Sequence, residues 1–218
     1  MKKNTKSVFF PILINLQKYP CLVVGGGLVA LRKVEVLLKY TTNITILSPK
    51  VCTDLVSIIK KKKIKHFNHK YEKKFLKKFK IVISATDNSD VNKLVHDDCK
   101  KEGILINVVD TPGLCDFILP ATVKRDDLTI SVSSQGQAPF LAKDIKQKLE
   151  HIYSDIYSDV TELAGKYREC ILKNKRLKTS KSKTEAFNKF LEVDWRRILR
   201  TGGKRKAIGR LNKLLKEI

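Results

Sequence analysis

Three consecutive glycines are the first residues in this sequence whose spacing suggests chemistry. Gly25, Gly26 and Gly27 follow four apolar residues and precede a stretch in which apolar residues recur at helical spacing. With Ala30 they fit the pattern G-x-G-x-x-A, whose first glycine permits a tight turn and whose second, Gly27, lets backbone approach a pyrophosphate. The helix that follows would direct its N-terminal N–H groups at the phosphates. The pattern predicts a dinucleotide site, and a tight turn without a ligand is the alternative.

The residues that would hold the ribose depart from the usual pattern. In dinucleotide-binding folds an Asp or Glu commonly ends the second strand, but this sequence has TILSPK there. We therefore expect the ribose to be held by Ser48, by backbone groups or by Lys50. Because no acidic side chain would repel a 2′-phosphate, the sequence leaves NADP open beside NAD.

A carboxylate follows a later apolar run and could act as a base. Asp110 ends ILINVVD and is followed at once by TPG, which places it at the carboxyl end of a predicted strand. Folds of this kind bind their ligands at that edge of the sheet. A carboxylate there could accept a proton as a hydride leaves the substrate. An Asp that only caps the turn is the alternative, and Asp116 is a second carboxylate to consider.

Histidines give weaker signals for metal binding. His66 and His69 are three residues apart and could share a metal on a helix, but the lysines around them would repel a cation. His96 could be a ligand together with Asp97 or Cys99, or could simply lie on a surface helix. We therefore expect no resident metal site.

Two further groups could either bind substrate or support the fold. The loop 133–136, with the sequence SSQG, could offer hydroxyls and amides to a substrate carboxylate, or could cap the next helix. Phe187, Phe190 and Trp195 recur at helical spacing, which favours packing in a core over stacking on a substrate.

The charge of the chain indicates a polyanionic partner. Lys and Arg total 45 against 22 Asp and Glu, which gives a formal net charge of +23. Such a balance suits a nucleic acid, an anionic membrane surface, or a small molecule with many carboxylates or phosphates. A general drift of composition toward lysine is the alternative. The basic tail from Trp195 to Ile218 leaves a nucleic-acid role open.

Cysteine usage and hydropathy predict a soluble, cytoplasmic protein. The five cysteines are widely spaced and none forms a Cys-x-x-Cys pair, which fits a reducing compartment. The N-terminus is basic, but the apolar run from Val8 to Leu16 contains Pro11 and Asn15 and no small-x-small cleavage site follows. We therefore expect no secretion signal. No apolar stretch approaches the ~20 residues of a membrane span.

Strands and helices that could position these residues alternate through the first 110 positions. Apolar runs at 21–24, 43–48, 81–87 and 104–110 predict strands. The lysine-rich stretch 58–80 predicts a helix or a strand with a helix. Ser89 or Asp90 is expected to cap one helix and Gly103 to end it. The faces predicted to be buried are Ala30, Val34, Leu37 and Leu38 in the first helix, and Val91, Leu94, Val95 and Cys99 in the later one. This alternation predicts an α/β fold with a doubly wound Rossmann sheet.

The pattern changes after the predicted sheet. The runs ILPATVKR and LTISVSS flank Asp126-Asp127 and predict a hairpin. Pro139 is expected to open an amphipathic helix. From about Ser154 the chain predicts helices only, interrupted at Lys178–Lys183 and at Gly202-Gly203. The apolar face predicted for the helix after Pro139 is Leu141, Ile145, Leu149 and Ile152.

Several of these motifs resemble one family. From about Phe10 to Glu150 the chain is similar to the siroheme synthase N-terminal domain, a family of precorrin-2 dehydrogenases of which some are also sirohydrochlorin ferrochelatases. The similar segments are FPILINLQKYPCLVVGGGLVALRKVEVLL, ISATDNSDVNKLV, and INVVDTPGLCDFILPATVKRDDLTISVSSQGQAPFLAKDIKQKLE. The resemblance implies NAD-dependent oxidation of precorrin-2 to sirohydrochlorin. In bifunctional members Fe²⁺ is a further substrate, inserted into the macrocycle.

The resemblance also implies roles for individual residues. It places the catalytic carboxylate at Asp110 and a substrate contact at Ser134. Its tetrapyrrole substrate carries eight carboxylates, which would give the positive charge a specific partner. The expected cofactor site comprises Gly25, Gly27, Leu28, Val29, Ser48, Pro49, Lys50 and Thr86.

The same resemblance implies a homodimer with three parts per chain. These are a Rossmann domain at 1–116, a dimerisation segment at 117–152 and a C-terminal helical domain at 153–218. With a tetrapyrrole as partner, we expect neither nucleic acid nor membrane to be bound. The rival class is a non-catalytic module that senses NAD and regulates another protein.

Overall fold

The computed structural model describes residues 8–218 and divides the chain into two units. The first unit ends at Leu119 and the second spans Pro120–Ile218. This division lies close to the predicted boundary after residue 116, whereas the separate dimerisation segment stays a prediction. The basic start of the chain, on which the expectation about secretion partly depends, lies outside the described residues.

The first unit is built on a five-stranded parallel sheet. Its strand order is β3-β2-β1-β4-β5, which is the open, doubly wound arrangement predicted from the sequence. Parallel neighbours require crossover connections, and these carry the helices. The elements are β1 (Cys21–Val24), α1 (Leu28–Leu37), β2 (Ile44–Leu47), α2 (Thr53–Lys62), β3 (Lys65–Phe67), β4 (Ile81–Ser84), α3 (Ser89–Glu102) and β5 (Leu105–Val108).

The core of this unit lies on both faces of the sheet. Successive residues of β1 alternate between two apolar clusters: Cys21 and Val23 pack with α1, and Leu22 and Val24 pack on the side of α3. Strands buried on both faces read as continuous apolar runs, which is why these strands could be recognised from the sequence. Leu37 is buried as predicted.

The lysine-rich stretch folds as part of α2, the short strand β3 and a 3-10 turn at Lys73–Leu76. The strand-and-helix alternative for this stretch is therefore the correct one. His66 lies within β3, so the helical arrangement that would have let it share a metal with His69 is wrong. Basic residues crowd the C-terminal turn of α2, where they complement the helix dipole.

Helix α3 differs from its prediction at two points. The side chain of Asn88 accepts a hydrogen bond from the Val91 N–H, so the cap is Asn88 rather than Ser89 or Asp90. Leu94 is 50% exposed, which corrects its placement on the buried face. Gly103 ends the helix with φ of +63° as predicted, because this left-handed position favours glycine.

The second unit begins with the predicted hairpin and continues with helices. Strands β6 and β7 pair antiparallel around Asp126-Asp127, and α4 packs on both. Three further helices form a separate core with Leu163, Tyr167 and Leu211 at its centre. The elements are β6 (Ala121–Arg125), β7 (Leu128–Val132), α4 (Pro139–Ile152), α5 (Ile156–Lys173), α6 (Ser180–Leu191) and α7 (Trp195–Lys216).

The aromatic residues of the helical region are core residues. Phe190 and Trp195 are buried and stack with ring centroids 4.6 Å apart, and Phe187 packs against the same cluster. The predicted break at Lys178–Lys183 is shifted, since α6 already begins at Ser180 after a Thr179 cap. The interruption predicted at Gly202-Gly203 is confirmed, since Gly203 has a non-helical backbone (φ 62°, ψ −172°) that separates two helical segments within α7.

No helix in residues 8–218 is long and apolar enough to cross a membrane. All five cysteines are unpaired.

Candidate functional site

The glycine turn leaves the carboxyl end of β1 and is shaped by its neighbours. Gly25 has φ of +122°, a conformation that side chains rarely adopt. A Cβ on Gly25 would also collide with the carbonyl oxygen of Ala85, which follows β4. Gly25 is therefore required by the internal geometry of the turn.

Gly26 is required by a different neighbour. A Cβ at this position would collide with the Lys50 carbonyl oxygen and lie 2.7 Å from Ser48 Oγ. The Gly26 carbonyl also accepts a hydrogen bond from the Cys52 N–H at 2.8 Å. The glycine turn and the segment after β2 are thus in direct backbone contact.

Gly27 has no such reason to be glycine. Its φ of −83° and ψ of −172° are extended backbone open to any residue, and a Cβ there would meet no atom within 4 Å in the described part of the chain. Gly27 is the N-cap of α1, and no side chain of residues 8–218 caps the helix. Open space beside uncapped N–H groups is the arrangement in which a pyrophosphate binds at a helix N-terminus.

The first helical side chains leave this end of α1 accessible. Leu28 is 59% exposed and Val29 is 38% exposed, although both are apolar. The turn, the uncapped helix and its exposed first residues fit a dinucleotide in the place predicted from the glycine pattern.

The end of β2 is ordered by its own hydrogen bonds. Ser48 is buried, and its hydroxyl donates to the Lys50 carbonyl at 2.6 Å. The Nε2 atom of His66 lies 2.9 Å from the Ser48 carbonyl oxygen. Pro49 and Lys50 are exposed. Ser48 therefore orders the loop, and its predicted contact with the ribose stays a prediction, as do those of Pro49 and Lys50.

The end of β4 forms another wall of the glycine turn. Thr86 follows Ala85, whose carbonyl is the atom closest to a Cβ on Gly25. The Thr86 hydroxyl hydrogen bonds to Asn88 and Asn92 in the segment that leads into α3. Thr86 thus lies beside the glycine turn, and its contact with the dinucleotide stays a prediction.

Asp110 lies in the turn that follows β5, at the same edge of the sheet as the glycine turn. Its φ is +59°, a left-handed conformation that Asp tolerates better than most residues. Its side chain is exposed and makes no hydrogen bond or ion pair with residues 8–218. A carboxylate held on a constrained backbone with no internal partner is available to a ligand.

Asp116 closes the base of the loop that carries Asp110. The Asp116 N–H donates to the Ile106 carbonyl at 2.8 Å, and the Ile106 N–H donates back to Asp116 Oδ2 at 3.2 Å. Its other oxygen accepts a hydrogen bond from Lys100 Nζ at 2.8 Å. Asp116 is therefore engaged in holding the chain, which argues against it as a second base.

A second clamp on the same loop has almost no sequence signature. Asn107 on β5 donates from Nδ2 to the Phe117 carbonyl at 2.9 Å. The Cys115 thiol lies beside this bond and donates to the Val108 carbonyl at 3.1 Å, and burial raises the pKa of the thiol so that it stays a donor. The one signal in the sequence is a polar residue inside the apolar run ILINVV.

The His96 side chain contacts a backbone carbonyl. His96 Nδ1 lies 3.1 Å from the Leu114 carbonyl oxygen, close to the loop that carries Asp110. Across residues 8–218 no three His, Cys, Asp or Glu side chains are grouped so that they could hold a metal ion.

Ser134 lies in the second unit, between β7 and α4. Its hydroxyl accepts a hydrogen bond from the Ala138 N–H at 2.9 Å, just before Pro139 opens the helix. Gln135 and Gly136 both have positive φ, so the loop is a tight turn. The helix-capping alternative describes this contact, and the predicted contact of Ser134 with substrate stays a prediction.

Comparison with known proteins agrees with the site at the glycine turn. Residues 12–121, about half of the chain, match NAD_binding_7, a family model for NAD(P) binding. The matched range contains the glycine turn, the end of β2 and the loop of Asp110.

Curated relatives of this chain include proteins named siroheme synthase. The chain is 40% identical over 161 residues to a siroheme synthase of Ruthia magnifica subsp. Calyptogena magnifica, which covers 74% of this chain and 34% of that protein. It is 32% identical over 202 residues to the siroheme synthase of Psychrobacter cryohalolentis, covering 93% of this chain and 38% of that protein. The chain thus spans about a third of the length of these relatives.

A solved structure shares the fold. The precorrin-2 dehydrogenase SirC superposes with a TM-score of 0.76 over 94% of this chain and 100% of that one, at 24% sequence identity. The α/β architecture predicted from the sequence is therefore confirmed.

Proposed function

The chain belongs to the NAD(P)-binding family NAD_binding_7, and from this premise we propose that it is an NAD-dependent dehydrogenase that oxidises precorrin-2 to sirohydrochlorin. The names of its relatives, siroheme synthase and precorrin-2 dehydrogenase, support this substrate. The same names make ferrous iron a candidate second substrate.

One observation carries the proposal. Asp110 presents an unpartnered carboxylate, among residues 8–218, at the carboxyl edge of the sheet, and the glycine turn opens at that same edge. Between β1 and β5 lies only β4, so both features leave the same part of the sheet. Ligands of open α/β sheets bind outside the carboxyl ends of the strands.

The proposed chemistry divides between cofactor and protein. The nicotinamide ring of bound NAD⁺ would accept the hydride. The open N-terminus of α1 at Gly27 holds the pyrophosphate, and Asp110 accepts the proton that the macrocycle loses as its hydride departs. Each oxidation thus removes one hydride and one proton. The hydrogen bonds of Asp116 and Asn107 to the backbone keep the loop that carries Asp110 in place during the reaction.

The cofactor is proposed to be NAD rather than NADP on the basis of the family resemblance. The region after β2 contains no acidic side chain from Ser48 to Thr53, so it offers no acceptor carboxylate for a ribose hydroxyl. We assign ribose contacts to Lys50 and to backbone of this loop. Steady-state kinetics with both dinucleotides test the assignment, and a preference for NADP would overturn it.

Asp110→Asn tests the proposed base. Asn tolerates the left-handed backbone as well as Asp does, so the turn is kept while the base is lost. We expect near-normal NAD⁺ binding, and a fall in precorrin-2 oxidation by about two to four orders of magnitude. Product formation is followed by the absorbance of sirohydrochlorin under anaerobic conditions.

The controls separate this proposal from its rival. Asp127→Asn, in the turn of the hairpin, changes charge by the same amount on an exposed turn, and it should leave the rate unchanged. Full activity of Asp110→Asn would remove this residue from the mechanism. Wild-type protein that binds NAD⁺ but yields no sirohydrochlorin would favour the NAD-sensing module instead. Addition of Fe²⁺ to sirohydrochlorin in the same assay tests iron insertion.

We also propose that the protein acts as a homodimer through the segment 117–152. Helix α4 supports this, because Phe140 is 78% exposed, Leu141 47% and Ile152 51%, all apolar. Exposed apolar side chains along one helix can mark an interface. The dimer would form in the cytoplasm, a compartment that suits the five unpaired cysteines.

Light scattering of two variants tests the dimer. Phe140→Glu places a charge on α4 and should yield monomers at micromolar concentration. Leu191→Glu is the matched control, since Leu191 is 77% exposed at the end of α6. A monomeric wild type, or an equal effect of both variants, would contradict an interface at α4.

A further inference from the structure

A side-chain amide on α3 is bonded to the end of β4 through four hydrogen bonds. The Oδ1 atom of Asn92 accepts from Ser84 Oγ at 2.7 Å, from Thr86 Oγ1 at 2.8 Å and from the Thr86 N–H at 3.4 Å. Its Nδ2 atom donates to the Thr86 carbonyl at 3.0 Å. One side chain thus pairs with the N–H, the carbonyl and the hydroxyl of Thr86.

The segment held in this way is a wall of the glycine turn. A Cβ on Gly25 would collide with the Ala85 carbonyl oxygen and lie 3.2 Å from the Thr86 nitrogen. The Ala85 N–H in turn donates to the Val24 carbonyl at 2.8 Å, at the end of β1. The Ala85–Thr86 peptide thus packs closely against the glycine turn and is bonded to the strand that leads into it, so we expect a shift of this peptide to disturb the turn.

The chemistry of the amide explains why this position suits Asn. Three donors converge on the amide oxygen of Asn92, and the Thr86 carbonyl requires a donor from the same side chain. A carboxylate would supply only the acceptor, and a leucine of similar volume would supply neither. In the Asn92→Leu variant, the hydroxyl of Ser84, whose residue is fully buried, would lose the acceptor that it has here.

We propose that Asn92 is a positioning residue for the dinucleotide, acting through Thr86 and the wall of the glycine turn. The proposal deepens the function proposed above and rests on dinucleotide binding at Gly27. It requires NAD⁺ affinity to depend on Asn92 although Asn92 lies on α3, behind the turn.

The test compares NAD⁺ affinity, measured by calorimetry, in Asn92→Leu and in a control on the same helix. The control is Tyr71→Phe, which removes the hydrogen bond from Tyr71 Oη to Asp98 Oδ2. Asp98 lies six residues further along α3, about 9 Å from Asn92 along the helix axis. Asn92→Leu removes four hydrogen bonds between α3 and the rest of the unit and Tyr71→Phe removes one, and only the bonds of Asn92 lie next to the glycine turn.

We expect NAD⁺ to bind Asn92→Leu about tenfold to a hundredfold more weakly, the effect of misplacing a binding group by about 1 Å. The KM for NAD⁺ should rise more than kcat falls. Tyr71→Phe should bind NAD⁺ as the wild type does, even where its thermal unfolding shows a similar loss of stability. Asn92→Ser is measured in the same way, and it decides the question if the leucine variant does not fold.

Two results would overturn the role of Asn92. One is wild-type NAD⁺ affinity in a folded Asn92 variant. The other is equal weakening by Tyr71→Phe, which would mean that any loosening of α3 has this effect. Failure of the proposed function looks different: the wild type would bind NAD⁺, and Asn92 would still affect that binding, while precorrin-2 would not be oxidised.

Discussion

The three consecutive glycines should respond differently to the same substitution, because their surroundings differ. At Gly26 an added Cβ collides with the Lys50 carbonyl, which is backbone and cannot turn aside. Overpacking against fixed atoms costs about 1–3 kcal/mol and more where backbone must move. At Gly25 the collision with Ala85 is joined by a φ of +122°, which adds about 1–3 kcal/mol of strain.

Gly27→Ala should have almost no effect on stability. Its backbone is extended and its Cβ would meet nothing within 4 Å among residues 8–218. Alanine is a poorer N-cap than glycine by roughly 0.5–1 kcal/mol. Alanine also restricts the unfolded chain, which stabilises the fold by about 0.4–1 kcal/mol. The two terms nearly cancel, so the free energy of unfolding should change by less than about 0.5 kcal/mol.

NAD⁺ affinity should fall in Gly27→Ala although the stability of that variant does not. Gly27→Ala places a methyl group where the pyrophosphate approaches, and should weaken binding at least tenfold, or about 1.4 kcal/mol. Gly27→Asp adds a negative charge there and should abolish binding. The assays are urea unfolding and calorimetry with NAD⁺. Gly165→Ala, inside α5 with open space around the Cβ, is the control; it should leave NAD⁺ affinity unchanged and stabilise the fold by about 1 kcal/mol. Unchanged NAD⁺ affinity in Gly27→Ala would show that the glycines serve only the turn.

Four further outcomes are expected. Asp116→Ala leaves the Ile106 N–H without its acceptor and should lower the free energy of unfolding by about 1–3 kcal/mol. Asp116→Asn keeps an oxygen at this place and should lower it by less than about 1 kcal/mol. Urea unfolding of both variants measures the difference. Apparent tetrapyrrole affinity should fall steeply with salt while NAD⁺ affinity falls less, because the proposed octacarboxylate substrate would be attracted by a chain of net charge +23. Equal slopes in binding titrations would favour a general drift of composition toward lysine. In alkylation at about pH 8, the exposed Cys170 should react first, because burial raises the thiol pKa of Cys21 to about 11 and of Cys99 to about 12. Because the pKa values of the Cys21 and Cys99 thiols are raised in the folded state, the free energy of unfolding should fall above about pH 9. There the thiols of the unfolded chain lose their protons while those of the folded chain keep them.

The sheet could be predicted from the sequence because its strands carry the signal themselves. Strands such as CLVV are buried on both faces, so each is a continuous apolar run bounded by polar or turn residues. The helix α1 was equally clear, since its buried residues repeat at helical spacing. The alternation of strand and helix predicted a doubly wound parallel sheet, whereas the order of its strands came from the structure.

Caps and loop clamps were harder to predict because they depend on tertiary contacts. Asn88 rather than Ser89 caps α3 because of the position of the chain leaving β4. Asp116 has the residue type of a base, yet its oxygens are taken by Ile106 and Lys100 through contacts ten and sixteen residues apart. Asn92 gave no sequence signal beyond a polar residue near the start of a helix.

The candidate site was predicted best where backbone geometry decides the residue type. Gly25 needs the absence of a side chain because its φ is positive and a Cβ would collide with the Ala85 carbonyl, whereas the contact of Gly27 with a pyrophosphate stays a prediction. Ser48 is one of the groups predicted to hold the ribose, and that contact stays a prediction; the structure adds that its hydroxyl donates to the Lys50 carbonyl. The orientation of a small hydroxyl residue depends on the local loop, which single-sequence reasoning does not fix.

The clamp at Asp116 has a consequence for self-association. A parallel sheet has two open edges, and an unpaired edge strand can recruit another chain into an extended sheet. At β5 the N–H and the carbonyl of Ile106 are both occupied by Asp116. At β3, the other edge, the strand is three residues long and begins with an exposed lysine. Both edges of the five-stranded sheet are thus blunted against edge-to-edge aggregation, so a second copy of this chain would have to associate through another part of the molecule than this sheet.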